Sequence, residues 1–201
     1  APEARHPYLI SDSGDNPTAG GAGDVTWTIA ELLGRPELTD GSRTTLVASI
    51  FDAEAVATAR AAGVGAKVSL HAGAGVDHGP SGPVAITGEV FSITDGDPDA
   101  GTQAVIAGGG LHAIITERRK PFHHLDDFRM LGLDPECADI VVVKIGYLEP
   151  ELYELAADWT LALTSGGVDQ DLLRLGHRHL APGVFPFDTT GNPPLTAHVS
   201  R

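Results

Sequence analysis

A chain of 201 residues with 13 Lys and Arg against 27 Asp and Glu has a formal net charge of −14. That is the size of one α/β domain, and the wrong sign for nucleic acid or an anionic membrane surface, which are held through clustered cations. Its longest apolar runs, such as Ile140 to Val143, fall far short of the roughly 20 residues that span a bilayer.

Aromatic residues make up only 5% of the chain, while Gly numbers 25 and Pro 14, so Ala, Val, Leu and Ile must build the core between many tight turns. The one cysteine, Cys137, lies near Glu136 and Asp139. It has no disulfide partner, and its acidic neighbours oppose a reactive thiolate, so it reads as structural. No charged region followed by an apolar one opens the chain, and a reducing cytoplasm is the expected compartment.

In chain order, Tyr8 to Asp12 is a short apolar strand leading into a turn-rich stretch from Ser13 to Gly23. Asp24 then stands as a plausible N-cap for a helix from Val25 to Leu33, which Gly34 and Pro36 end. Thr45 to Phe51 is β-branched and apolar on both faces, the pattern of a buried strand. Asp52 caps a second helix through Ala62, with Gly63 as its C′ residue. Strand alternating with helix predicts a parallel sheet with helices on its faces.

The middle changes character. Lys67 to His71, Val84 to Thr94, Ala104 to Ala107 and Leu111 to Glu117 read as strands, separated by turns such as Gly108-Gly109-Gly110 without helical pattern between them. An antiparallel section is the expectation there. Arg118-Arg119-Lys120 reads as a solvated loop or helix start, and Phe122 to Leu131 as a short helix with Asp126 and Asp127 on its polar side. Ile140 to Ile145 is a continuous buried strand, Glu149 to Asp158 a helix, Leu161 to Thr164 a strand and Asp169 to Leu175 a last short helix. After Pro182 the chain reads as irregular surface. The predicted fold is a layered α/β sheet, mainly parallel with an antiparallel section and helices on its faces, organised as one domain over residues 1–201.

The stretch from Ser11 to Asp24 carries the chemistry. It leaves a strand, turns through Gly14, Gly20, Gly21 and Gly23, and enters a helix, where small residues admit a ligand close to the backbone and unpaired N–H groups face it. Gly23-Asp24-Val25 replaces the Gly-Lys-Ser/Thr of a phosphate loop, the dinucleotide spacing Gly-x-Gly-x-x-Gly is not met, and Asp12, Asp15 and Asp24 oppose a phosphate. The plain alternative is a turn whose Asp side chains accept backbone N–H groups. Neither His177/His179, spaced for one face of an extended segment, nor the adjacent His123/His124 has a third metal ligand at short range.

Asp15-Asn16-Pro17 followed by Gly20-Gly21-Ala22-Gly23-Asp24 resembles the signature that opens the C-terminal domain of the MlrC-like metallopeptidase family. Further matches follow in family order: Ala61 to Gly65, Gly82-Pro83-Val84, Leu131 to Pro135, Val141 to Lys144 and Phe185 to Asp188. Together they span Tyr8 to Asp188. The chain departs from the pattern at Thr18-Ala19, where glycines are usual, and at Ile145-Gly146-Tyr147-Leu148, where relatives have Ser and a His-Phe pair.

The resemblance implies a zinc-dependent hydrolase of peptide or amide bonds. Its zinc is held by an N-terminal metal-binding domain, whose Asp-x-His motif has no counterpart here, and this chain binds no metal alone. The implied partners are that N-terminal domain and a small peptide or amide substrate, with a homo-oligomer possible and neither nucleic acid nor membrane involved. Asp15, Asn16, Gly20, Gly21, Asp24 and Lys144 match the family pattern and are the expected substrate-facing positions, with no catalytic group among them. The competing reading is a non-catalytic small-anion-binding or assembly module presenting the same loop.

Overall fold

The computed structural model describes residues 7–191 and 196–197. Eight strands form one mixed sheet: β1 (Tyr8–Asp12), β2 (Thr45–Phe51), β3 (Lys67–Ala72), β4 (Val84–Asp97), β5 (Gly101–Gly108), β6 (Leu111–Thr116), β7 (Ile140–Val143) and β8 (Asp158–Ala162). Their order across the sheet is β3-β4-β5-β6-β2-β7-β1-β8. The run β6-β2-β7-β1-β8 is parallel throughout, and β3, β4, β5 and β6 join by antiparallel pairings. Both halves match the expectation from sequence.

Five helices accompany the sheet: α1 (Trp27–Leu33), α2 (Pro36–Thr39), α3 (Ala53–Ala62), α4 (Leu125–Arg129) and α5 (Pro150–Leu155). Alternation along the strands divides two cores between the faces. Val47, Ala113, Ile115 and Val142 point to the side covered by Ile29 of α1 and by Ala55, Val56 and Ala59 of α3. Leu46, Ala48, Ile114, Val141 and Val143 point to the side covered by Phe128 of α4 and by Leu152 and Leu155 of α5. Leu9, Ile114, Phe128 and Leu152 are completely enclosed, and each such side chain contributes about 1.5–3 kcal/mol relative to exposure. The β2–β6 register shifts between Ala48 and Ile50, and this one-residue irregularity puts Ile50 with Val47 in the α1/α3 core.

The boundaries show which local signals held. Asp52 caps α3 through its side chain, which accepts from the Ala55 N–H, and Gly63 closes it at φ 86°. Asp24 does not cap α1: Thr26 takes the N-cap position, because the Asp24 carboxylate accepts from the Val76 and Asp77 N–H groups of a distant loop. The final strand falls earlier than expected, at Asp158–Ala162, since α5 stops at Leu155.

By internal packing the chain divides into two units, Ala1–Gln170 and Asp171–Arg201. The first holds every strand and helix named above. The expected helix over Asp169 to Leu175 does not form; Leu172 to Leu175 makes a turn, too short to offset helix nucleation by local bonds. Within the second unit, the His177 ring stands edge-on to Phe187 at 5.1 Å. Among the described residues no helix is long and apolar enough to cross a membrane.

Candidate functional site

The parallel strands all end on one edge of the sheet, and there the loops after β7, β1 and β8 meet. Asp15 is fully enclosed. One of its oxygens accepts from the Gly23 N–H and the other from the Val25 N–H, each at 2.8 Å. The Lys144 ammonium, at the end of β7, donates to Asp15 Oδ2 at 2.9 Å, to the Gly23 carbonyl at 3.1 Å and to the Val25 carbonyl at 2.7 Å. An ammonium has three donors, so all of them are spent on the loop. A buried carboxylate and a buried ammonium are tolerated together because each neutralises the other and the remaining lone pairs are bonded.

A second polar cluster ties the same loop to β8. The Asp12 carboxylate accepts from the hydroxyls of Thr28 and Thr164. The Thr164 hydroxyl oxygen accepts the Gly14 N–H at 3.0 Å, and the Gly14 carbonyl accepts the Val168 N–H at 2.9 Å. Ser11, within β1, donates to the Ile145 carbonyl at 2.7 Å, binding that strand to the loop after β7.

The glycines have a cause inside the chain. A Cβ on Gly14 would overlap the Thr164 carbonyl, and one on Gly21 would lie 2.6 Å from the Asp15 carbonyl carbon and 2.8 Å from the Asn16 carbonyl oxygen. Gly20 and Gly23 hold left-handed conformations at φ 106° and 80°, which side chains disfavour. Close approach of the loop to its own backbone and to Thr164, with two left-handed turns, therefore accounts for these glycines without a ligand.

Asn16 stands apart from its neighbours. It is 5% exposed, and its Oδ1 accepts from both the Thr18 N–H at 2.9 Å and the Thr18 hydroxyl at 2.8 Å. Those bonds fix which amide atom is the oxygen and turn Nδ2 the other way, toward Gly146, whose missing Cβ would lie 3.5 Å from it.

The profile of the MlrC C-terminus family matches residues 10–179. The chain belongs to this family. Microcystinase C of Sphingomonas sp. is 29% identical over 147 residues, which is 69% of this chain and 28% of that protein. A solved structure from Mesorhizobium sp. BNC1, described as a metallopeptidase, superposes with a TM-score of 0.73 at 20% identity, covering 95% of this chain and 40% of the other. The chain thus spans well under half the length of both relatives.

In this MlrC C-terminal domain the sequence-selected residues occupy three settings. Asp15, Asn16, Gly21 and Lys144 are brought together beneath the loop, while Gly20 sits exposed on its crest. Asp24 faces elsewhere, into an open cavity of about 530 Å³ lined also by Phe51, Asp52, Glu54, His71 and Gly73 to Val76. Its carboxylate braces the wall of that cavity through the Val76 N–H at 2.5 Å.

Sequence reasoning missed Lys120. In place of a solvated triplet, Lys120 is buried and donates to Asp97 at 2.5 Å and Asp127 at 2.9 Å, and Arg119 donates to the Gly21 carbonyl at 2.9 Å. Burial works against the Lys120 charge, but the bonds to Asp97 and Asp127 outweigh it and raise the pKa above the ordinary value. The neighbouring Asp126-Asp127 pair was the available signal.

The exposed Cys137 thiol donates to Asp134, and that bond together with nearby acidic charge raises its pKa. The His123 and His124 rings are 6.4 Å apart, with His124 against Glu151. No group of three or more His, Cys, Asp or Glu able to hold a metal ion is gathered among the described residues.

Proposed function

We propose that this chain forms one wall of the substrate cleft in a zinc-dependent hydrolase of peptide or amide bonds, the zinc being held by a further domain. Family membership and the microcystinase C relative support the reaction class. The observation that carries the cleft-wall role is the Asp15–Lys144 pair. It joins the loops after β1 and β7 on the strand-end edge of the sheet, the edge at which open α/β sheets receive ligands.

Asp15 and Lys144 serve in this reading by positioning the loop, Gly14 and Gly21 by letting it fold tightly, and Asn16 by presenting a donor to substrate. No proton or metal step is assigned to these residues.

The test uses the longer protein that contains this chain. It should hydrolyse peptide or amide substrates, lose that activity to a chelator and regain it with zinc. Lys144→Met, assayed at a temperature where circular dichroism shows it folded, should reduce kcat/KM at least tenfold. A folded, metal-loaded protein that cleaves no peptide or amide bond would refute the reading.

A further inference from the structure

Two primary amides converge on one glycine at the centre of this loop cluster. A Cβ placed on Gly146 would lie 3.2 Å from Gln170 Nε2 and 3.5 Å from Asn16 Nδ2. Gly146 belongs to the loop after β7, Asn16 to the loop after β1 and Gln170 to the loop after β8, so three chain segments contribute to one recess. Neither amide nitrogen donates a hydrogen bond to any described residue. Asn16 is 95% enclosed as a residue, yet its Nδ2 is not among the enclosed atoms that lack a partner, so this donor is the part of the side chain that stays open to a solute. Its orientation is set by the two Thr18 bonds to Oδ1, so the donor points into the recess.

We propose that the space over Gly146 is a subsite for a neutral carbonyl oxygen, recognised by Asn16 Nδ2 with Gln170 Nε2 as the second donor. Two amide nitrogens within 3.5 Å of one point, that of Asn16 on an enclosed residue and that of Gln170 on an exposed one, suit an acceptor with two lone pairs. An amide carbonyl fits better than a carboxylate because the Lys144 ammonium is already saturated by Asp15, Gly23 and Val25, and the chain carries a net charge of −14. Tyr147, exposed on the loop after β7, offers apolar surface for the remainder of a peptide. The subsite rests on the peptide and amide reading above, and it names the group that the cleft wall grasps.

Gly146→Ala is the decisive variant. Gly146 is not among the residues at positive φ, and the methyl group would meet only the mobile ends of two side chains, so the fold should survive while the recess fills. Asn16→Asp keeps an oxygen acceptor for Thr18 and replaces the donor with a second acceptor.

N-acetyl-leucinamide added to the ¹⁵N-labelled chain should shift the Asn16 side-chain amide resonances. Gly146→Ala should abolish the shift with an unchanged melting temperature. In the longer protein, either variant should raise KM for a peptide substrate about tenfold, the value of one lost hydrogen bond. The subsite is overturned if no shift occurs, if acetate shifts the same resonances as strongly, or if Gly146→Ala leaves KM unaltered. A shift in a longer protein that proves inactive would keep the subsite and refute the hydrolase.

Discussion

Two buried lysines hold the strand-end loops of this domain, and they do so at different levels of completeness. At the β1/β7 junction Lys144 faces one carboxylate and two carbonyls, so charge balances and every donor is spent. At the β5/β6 end Lys120 faces two carboxylates, Asp97 and Asp127, leaving net negative charge in a buried place. Beside it Gln103 Oε1 and Thr116 Oγ1, on residues paired directly across the strands, are enclosed without a partner among the described residues. The same device therefore yields a fully bonded cluster in one region and an incompletely bonded one in the other. The first should be the more costly to break, because nothing in it is redundant.

The largest expected effect is at Lys144. Lys144→Met strands the fully buried Asp15 carboxylate and two carbonyls, and should lower stability by about 3–5 kcal/mol, read as a shift in urea midpoint. The double variant Asp15→Leu/Lys144→Met, which removes both charges, should recover part of that loss. A Lys144→Met protein as stable as wild type would dissolve the distinction between the regions.

Next comes Thr164→Val. It deletes the hydroxyl that accepts from Gly14 and donates to Asp12, and should cost about 1–3 kcal/mol by leaving buried partners unbonded. Its counterpart in the other region, Thr116→Val, removes a buried hydroxyl without a partner. That change should be neutral or stabilise by up to about 1 kcal/mol. Equal losses from the two threonine substitutions would contradict the contrast.

The smallest effect concerns pH. Burial acts to raise the Asp97 pKa, but the Lys120 bond and the Ala100 and Asp99 N–H groups prevail and hold it below the ordinary carboxylate range. A depressed carboxylate stabilises fully above its unfolded pKa and loses that contribution as pH falls through the folded value. Lys120, raised above the ordinary lysine value, contributes fully below its unfolded pKa and loses its share as pH rises through its folded value. The pair should thus stabilise evenly from about pH 4 to 10, weakening at both extremes. Asp97→Asn should flatten the acid limb of the stability profile, and an unchanged limb would remove Asp97 from the account.

Local pattern carried the fold a long way. Continuous β-branched runs marked β2 and β7, Asp52 and Gly63 marked the ends of α3, and glycine turns without intervening helices marked the antiparallel strands. These signals survive because they act within a few residues: a cap bonds its own first turn, and a strand's apolar faces are written into the strand itself. The family motif likewise selected Asp15, Asn16 and Lys144 before their geometry was known.

What tertiary structure alone decided is where each polar group's bonds go. Asp24 has the sequence of a helix cap yet braces residues 52 and 53 positions away, and Lys120 has the sequence of a surface cation yet lies buried between two carboxylates. The glycines of the loop after β1 are required by its own backbone and by Thr164, 150 residues distant from Gly14. Electrostatic and hydrogen-bond partners follow proximity in space. The meeting of Asn16, Gly146 and Gln170 over one recess is likewise set by the parallel order β7-β1-β8, which no spacing within a single segment records.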